Sequence, residues 1–237
     1  MRDIIFTNVL ESERPGGCLK LDSQNVPKPT VKRLAMYHRC LESMIRNGRT
    51  NVSSKDIADL LGIKSSQVRK DLSYFGEFGK RGVGYSADRL LEGVSQILGM
   101  RKNWNFCIVG MGNLGMALAN YAGLEKSGFF VRALFDNNPS KIGLPMPGEL
   151  TIEPVNRLKR LVHEREISIG VIAVPGEVAQ EIVDLLIASG VRGIINFAPV
   201  RLSIPEGVSI EDIDISVTFR SLAFSMSLDQ VRQGKRI

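Results

Sequence analysis

One segment constrains the fold of this 237-residue chain more than any other: Cys107-Ile108-Val109-Gly110-Met111-Gly112-Asn113-Leu114-Gly115. Apolar residues before the first glycine predict a buried parallel strand, and an apolar-periodic segment after the third glycine predicts a helix. In this context Gly110 would make the tight turn, Gly112 would let a pyrophosphate approach the backbone, and Gly115 would let helix and strand pack closely. The spacing G-x-G-x-x-G therefore predicts a dinucleotide site at a helix N-terminus.

An acidic residue after the next predicted strand supports this interpretation. Apolar residues from Phe129 to Phe135 predict that strand, and Asp136 follows it, twenty-one residues after Gly115. A carboxylate at this place can accept hydrogen bonds from an adenosine ribose. It would also repel a 2′-phosphate, and no Arg stands beside it, so the sequence favours NAD over NADP. The alternative is a glycine turn of another α/β domain with an acid there by chance.

The rest of the C-terminal sequence alternates between predicted strands and helices. This alternation predicts α/β architecture, a doubly wound parallel sheet of Rossmann type with its ligand at the carboxyl ends of the strands. A last amphipathic helix from Ser216 to Gln233 would pack on its own domain or on a partner subunit. The further segments are a loop at 139–147, a helix at 155–162, a strand at 167–174, a helix at 178–187, and strands at 194–196 and 208–213.

Positive charge is concentrated in the N-terminal third of the chain. The formal net charge is +6, and residues 28–85 carry twelve Lys and Arg against five Asp and Glu. A basic domain beside a nearly neutral one is typical of proteins that bind an anionic polymer. No apolar run approaches the ~20 residues that span a bilayer, so no membrane partner is expected. Scattered Cys18, Cys40 and Cys107 suggest no disulfide framework and no metal site, which favours a cytoplasmic location.

Three short helices are predicted in the basic region, with a tight Gly62-Ile63-Lys64 turn between the last two, which is a helix-turn-helix pattern. Thr30, Ser53 or Ser54, and Ser65 would cap their N-termini. The apolar stripes at helical spacing are Leu34, Tyr37, Leu41, Met44 and Ile45 in the first helix, Ile57, Leu60 and Leu61 in the second, and Val68, Leu72 and Phe75 in the third.

The third helix and the segment after it carry the candidate DNA contacts. In a helix-turn-helix unit, the N-terminal half of this helix faces base edges in the major groove. The Gly-rich segment 76–85, a predicted hairpin with paired cations, would form a wing along the DNA backbone or in a minor groove. An unrelated three-helix bundle with solvated cations is the alternative. The candidates are Lys64, Ser65, Ser66, Gln67, Arg69 and Lys70, and in the wing Lys80 and Arg81.

The predicted elements divide the chain into four parts. A helix at 86–99 and a linker at 99–104 would connect the two main domains. The parts are a lead-in at 1–27, a winged helix-turn-helix domain at 28–99, a Rossmann domain at 100–215 and a C-terminal helix at 216–237.

From about Pro27 onward, the chain resembles the Rex family of redox-sensing transcriptional repressors. The resemblance rests on four segments: Val68 to Gly76, Gly82 to Tyr85, Gly110 to Gly115, and Asn196 to Pro199. It implies a homodimer that binds a palindromic operator when NADH is scarce and releases it when NADH binds. The tail before Pro27 and the Ser- and Phe-containing face of the C-terminal helix depart from the family pattern.

The resemblance also implies roles for individual residues. Asp136 would hold the adenosine ribose of NADH or NAD+, and the C-terminal helix would reach across the dimer. Tyr121, Asn196 and Phe197 would line the nicotinamide end. The pyrophosphate would be held by Gly110, Met111, Gly112, Asn113, Leu114 and Gly115.

Two other functions compete with this interpretation. An NAD-dependent dehydrogenase needs a general acid or base near the nicotinamide. His38 lies in the basic region, His163 precedes the third strand, and only Tyr121 is placed to act, so we expect no enzymatic turnover. A module that binds coenzyme A or another adenine nucleotide could use the same glycine turn.

Overall fold

The computed structural model describes residues 26–76, 78–79 and 84–232, with side chains in these ranges as far as Leu228. The chain divides into two compact units, Met1–Lys102 and Asn103–Ile237. Within the described ranges, no helix combines the length and apolarity needed to cross a bilayer.

The N-terminal unit is a helical core closed by a two-stranded sheet. Its elements are α1 (Lys28–Arg46), β1 (Asn51–Val52), α2 (Ser54–Leu61), α3 (Ser65–Ser73), β2 (Tyr85–Ser86) and α4 (Ala87–Ile97). All four helices contribute to one apolar cluster, in which Leu34, Ile57, Val68 and Leu90 are almost fully buried. The predicted helix-turn-helix arrangement is therefore confirmed.

Local sequence explains where α2 begins and ends. Ser53 Oγ accepts the backbone N–H of Asp56 at 3.1 Å, and the Asp56 carboxylate accepts the backbone N–H of Ser53 at 2.7 Å. This reciprocal capping box satisfies two amides that helix geometry leaves free. Gly62 then ends α2 in the left-handed conformation, at φ 64°.

Three expectations for the helical unit are wrong. The residue before α1 is Pro27 and that before α3 is Lys64, and neither makes a side-chain cap bond. Thr30 instead lies in the first turn of α1, and Ser65 begins α3. Leu60, expected inward, is 61% exposed. Because Thr and Ser also bond well to other side chains, their position near a helix start did not fix their role.

The predicted wing hairpin at 76–85 lies only partly within the described residues and stays a prediction. At the end of this segment Tyr85 pairs antiparallel with Val52, so β2 has a strand partner between α1 and α2. Residues 77 and 80–83 lie outside the described residues, and with them the two wing candidates Lys80 and Arg81.

The C-terminal unit is built on a seven-stranded sheet. Its order is β5-β6-β4-β3-β7-β8-β9, and every neighbouring pair is parallel except β5 with β6. The elements are β3 (Trp104–Val109), α5 (Asn113–Ala119), β4 (Phe129–Asp136), β5 (Pro145–Met146), β6 (Leu150–Pro154), α6 (Leu158–Glu164), β7 (Ile169–Ile172), α7 (Gly176–Ala188), β8 (Gly193–Asn196), β9 (Ser209–Asp212) and α8 (Ile215–Arg232).

The order of the six parallel strands identifies the sheet type. Numbered along the chain, they lie in the order 3-2-1-4-5-6, which is the order of dinucleotide-binding Rossmann sheets. Helices α6 and α7 cover one face, and α5 packs on the other. The predicted doubly wound sheet is confirmed, but β5 and β6 were missed because they are short and contain Pro, Glu and Thr.

Helix α8 differs from the other described helices in the exposure of its apolar side chains. Its large apolar side chains are 42–69% exposed, so the described residues of this chain do not cover them. Packing of α8 on its own unit, one of the two expectations, is not what the structure has. These side chains are Ile215, Val217, Phe219, Leu222, Phe224, Met226 and Leu228.

Candidate functional site

The first glycine of the fingerprint sits where two strands end side by side. Gly110 follows β3 with φ 97°, a conformation that favours glycine. A Cβ on Gly110 would overlap the carbonyl oxygen of Ala173, the residue after β7. The backbone N–H of Gly110 donates to Phe135 O at 2.8 Å, which fixes the turn against the end of β4.

The other two glycines have opposite surroundings. A Cβ on Gly115 would overlap the carbonyl oxygen of Gly110, so the first turn of α5 can pack on the loop only without a side chain. A Cβ on Gly112 would meet no atom within 4 Å. Gly112 is therefore not needed for packing within the protein, and the open space beside it fits a pyrophosphate that approaches the backbone.

The start of α5 supplies donors for such a group. Gly112 O accepts the N–H of Met116 at 2.9 Å and so begins the helix. The N–H groups of Asn113, Leu114 and Gly115 belong to the first turn, where helix geometry provides no partner. These residues fit the phosphates of a dinucleotide, as the fingerprint predicted.

Asp136 connects the glycine loop to the end of β4. Its carboxylate accepts the N–H of Met111 at 2.8 Å and the N–H of Asn138 at 2.8 Å. Burial opposes ionisation, but these two bonds, with a contribution from Lys141, hold the pKa of Asp136 below its usual range. A carboxylate that stays ionised beside the loop can accept ribose hydroxyls.

Lys141 is a functional candidate that sequence analysis missed. Its Nζ lies 3.1 Å from Asp136 Oδ2, and its side chain is 34% exposed. The turn brings the two together, because the N–H of Lys141 donates to Asn138 O at 3.0 Å. The segment was interpreted only as a loop, and no sequence pattern marked a cation five residues after the acid as its partner.

The three candidates for the nicotinamide end have different surroundings. Phe197 packs in the apolar cluster that contains Met111 and Ile108, close to the glycine loop. Asn196 is buried, and its amide group donates to Val200 O at 3.0 Å and to Asp212 Oδ1 at 2.8 Å. Its side chain therefore shapes the loop after β8.

Tyr121 occupies an exposed position. It lies two residues beyond the end of α5 and is 62% exposed. The helical spacing of Met116, Leu118, Ala119, Tyr121 and Ala122 had predicted that it lies within the helix. Its ring lies over the backbone of Gly123, where a Cβ would come within 2.8 Å of the hydroxyl oxygen. Little of this ring is used to hold the fold, so it is available to a ligand or a partner.

The N-terminal half of α3 presents a polar and basic surface. Lys64, Ser66, Arg69 and Lys70 are exposed, while Ser65 and Gln67 are half-buried. Arg69 Nη1 donates to the hydroxyl oxygens of Ser54 at 3.0 Å and Ser65 at 3.3 Å. These contacts link the starts of α2 and α3 and orient the guanidinium on the surface.

Behind this surface lies a buried carboxylate, Asp71, which has no exposed area. Arg33 donates to both of its oxygens, with Nε 2.6 Å from Oδ2 and Nη2 2.8 Å from Oδ1. The hydroxyl of Tyr37 donates at 2.6 Å, that of Thr30 at 3.1 Å and the amide of Gln67 at 2.9 Å. Three side chains of α1 thus anchor α3 to α1, and Gln67 holds the same carboxylate from within α3.

The charge state of Asp71 follows from this arrangement. Burial alone would raise its pKa, but the hydrogen bonds from Arg33, Tyr37, Gln67 and Thr30 lower the pKa to about 2. The same contacts raise the pKa of Arg33 and, together with burial, that of Tyr37. Asp71 and Arg33 therefore both stay ionised at neutral pH.

Neither histidine is placed for catalysis at the carboxyl ends of the strands. His38 is buried between α1 and α4, with Nε2 2.9 Å from Ser95 Oγ. His163 lies at the end of α6, just before β7 begins, and so on the side of the amino ends of the parallel strands. Among the described residues, no three His, Cys, Asp or Glu side chains are grouped to hold a metal ion.

Comparison with known families matches both units. The family model described as "Putative DNA-binding protein N-terminus" matches residues 25–73. The model described as "CoA binding domain" matches residues 101–200.

Curated relatives cover most of the chain. It is 47% identical over 204 residues to "Redox-sensing transcriptional repressor Rex 1" of Thermotoga maritima, across 86% of this chain and 97% of that protein. It is 45% identical to "Redox-sensing transcriptional repressor Rex" of Carboxydothermus hydrogenoformans, across 86% of this chain and 98% of that protein.

Solved structures give the same match. RSP, a Rex-family repressor, in complex with NAD+ and operator DNA has a TM-score of 0.82 and 33% identity, over 89% of this chain and 96% of that one. RSP in complex with NADH has a TM-score of 0.80 and 32% identity, over 88% and 98%.

Proposed function

The chain belongs to the Rex family of redox-sensing transcriptional repressors, and we propose that it binds operator DNA when NADH is scarce and leaves it when NADH binds. One observation carries this proposal: the same chain has an anchored basic helix α3 and a glycine loop joined to an ionised Asp136. The relatives named above are repressors, and neither histidine lies at the carboxyl ends of the parallel strands. A repressor must reach chromosomal DNA, so we place the protein in the cytoplasm.

The DNA-binding role belongs to the surface of α3. Arg69 and Lys70 are exposed near the middle of the helix, and either can pair with guanine in the major groove. Gln67 can pair with adenine, but its amide already donates to Asp71 at 2.9 Å, so its orientation is preset. Lys64, Ser65 and Ser66 at the helix start would contact DNA beside them. Lys80 and Arg81 stay predictions from the sequence.

The dinucleotide role belongs to the carboxyl ends of the parallel strands. Residues 110–115 would hold the pyrophosphate and Asp136 the adenosine ribose, as in other Rossmann sheets. Tyr121, Asn196 and Phe197 would line the nicotinamide end. The apolar packing of Phe197 and the buried Ala198 disfavours an unpaired positive charge there, which favours the reduced, neutral ring over the oxidised one.

A homodimer would account for the exposed apolar side chains of α8. Burial of one Leu, Val, Phe or Met side chain contributes about 1.5–3 kcal/mol. A surface that covers the large apolar side chains of α8 would therefore stabilise the protein. We propose that a second copy of the chain supplies it, with α8 exchanged across the dimer. Two α3 helices would then meet successive major grooves of a palindromic operator, about 34–36 Å apart.

A binding assay with each nucleotide tests this function. A duplex is first selected from random sequence by the wild-type protein, and a scrambled duplex serves as the control. We expect NADH to lower the affinity for the selected duplex, and NAD+ to lower it less. Coenzyme A, the ligand named by the family model of residues 101–200, should have no effect. Selection of no duplex, or binding that NADH leaves unchanged, would contradict the proposal.

A further inference from the structure

The acid that would receive the ribose carries its own counter-ion. Lys141 Nζ lies 3.1 Å from Asp136 Oδ2, the same oxygen that accepts the N–H of Met111 at 2.8 Å. A carboxylate alone at this place repels a 2′-phosphate. With a cation beside it, the local charge is close to neutral, and the expected preference for NAD over NADP weakens.

The two partners differ in how firmly they are held. The Asp136 carboxylate is fixed by two backbone N–H groups, those of Met111 and Asn138, and its side chain is only 12% exposed. The side chain of Lys141 is 34% exposed, and its ammonium group ends a flexible four-carbon stem. A bound phosphate could therefore draw the ammonium group toward itself, while Asp136 stays in place.

We propose that Lys141 is a specificity-determining residue of the dinucleotide site: it reduces the discrimination against a 2′-phosphate that Asp136 alone would impose. The proposal rests on the dinucleotide function proposed above. In the ligand-free protein Lys141 neutralises Asp136, and toward a 2′-phosphorylated nucleotide it serves as the phosphate's cation. Its effect falls on NADPH and is small for NADH, which has no phosphate at that hydroxyl.

Titration of NADH and NADPH into the full-length protein, three single variants and one double variant tests this role. Lys141→Met removes the charge and keeps most of the stem. It should weaken NADPH binding by about fivefold, which is the effect expected from loss of a partly exposed ion pair. It should change NADH affinity by less than about twofold. Lys159→Met is the matched control, because Lys159 is an exposed lysine on α6 of the same unit. It should change neither affinity.

The third variant, Asp136→Asn, tests whether Lys141 exchanges Asp136 for the 2′-phosphate as its partner. With the carboxylate charge gone and Lys141 released, NADPH should bind more tightly than it does to wild type. Adding Lys141→Met to Asp136→Asn should remove that gain. Thermal unfolding of each variant checks that the fold is kept.

The outcomes separate this inference from the proposed function. If wild type binds neither nucleotide, the dinucleotide function fails and the role of Lys141 falls with it. If NADH binds to wild type and to Lys141→Met, but the NADH-to-NADPH affinity ratio is the same in both, only the role of Lys141 is overturned. A gain in NADPH affinity that survives in the double variant overturns it as well.

Discussion

Each unit of the molecule fixes its functional segment with one aspartate, but the two aspartates are held in different ways. Asp71 in the helical unit is completely buried and is bonded by four side chains, three of them on α1. Its partners Thr30, Arg33 and Tyr37 come from about forty residues away in the chain. Asp136 in the sheet unit is bonded mainly by backbone N–H groups of neighbouring loops and keeps some exposure.

This difference separates an anchor from a binding group. All of the Asp71 carboxylate is committed to the fold, so α3 can present its outer surface to DNA from a fixed position. Asp136 is held in place by two N–H bonds, while its remaining acceptor capacity faces a loop that fits a ligand. The glycines beside Asp136 complete the contrast, since the sheet unit makes its site by omitting side chains.

The largest effect should come from Asp71→Ala. It leaves Arg33 without its partner and three other donors without their acceptor, which should cost about 3 kcal/mol of unfolding free energy in denaturant titrations. Operator binding should weaken severely while NADH affinity is kept, since Asp136 and the glycine loop are untouched. Asp59→Ala, at an exposed position of α2, is the control and should cost less than about 0.5 kcal/mol. Equal effects of the two variants would contradict the role of Asp71 as the anchor of α3.

The glycine loop offers a matched pair of variants. Gly112→Ala adds a methyl group where the protein has open space, so stability should not change, but loss of phosphate contacts should weaken NADH about a hundredfold. Gly115→Ala forces a methyl group onto Gly110 O and should lower both stability, by about 2 kcal/mol, and NADH affinity. Thermal unfolding and NADH fluorescence measure both. Full NADH affinity in Gly112→Ala would place the pyrophosphate elsewhere.

Acid should destabilise the helical unit through Asp71. Its folded pKa of about 2 lies below the ordinary value of 3.8, so its contribution is complete above that value and is lost as the pH falls through about 2. Linkage makes this contribution about 2 kcal/mol. The loss in unfolding free energy between pH 5 and pH 2.5 should be smaller in Asp71→Asn than in wild type. Parallel pH profiles would mean that Asp71 does not titrate abnormally.

A smaller effect is expected from Arg69→Ala on the outer surface of α3. Loss of one base contact should weaken operator binding by about tenfold and relax base choice at one position of each half-site. Arg160→Ala on α6 makes the same charge change in the other unit and should leave operator affinity unchanged. Competition among single-base operator variants measures the choice, and an unaltered sequence preference would take Arg69 out of base recognition.

Sequence patterns were sufficient for the parts that depend on local spacing. Periodicity identified the helices of the first unit, and the glycine spacing with Asp136 identified the strand–loop–helix at the centre of the sheet. Each of these signals lies within about thirty residues, where the physical reason for a residue type is local: a left-handed turn at Gly110, close packing at Gly115, a helix end at Gly62.

The parts that depend on distant partners were not predicted. Asp71 lies three residues after Val68 and one before Leu72, so it falls on the apolar stripe of α3, and that position was the available signal of a buried charge. Its partners on α1 could not be identified from spacing. Strand β6 was missed for the same reason, since its partner β4 comes close only in the fold. Lys141 was missed although Asp136 is near it in the chain, because no sequence pattern marks a cation five residues after the acid as its partner.

The proposed function requires that the two units are thermodynamically coupled, and measurement of NADH affinity with and without saturating operator tests this coupling directly. Binding linkage is reciprocal, so operator DNA must lower NADH affinity by the same factor by which NADH lowers operator affinity. We predict equal factors in the two directions, both lost in Gly112→Ala. The same NADH affinity in the presence and absence of operator would contradict the claim, even if the protein binds both ligands.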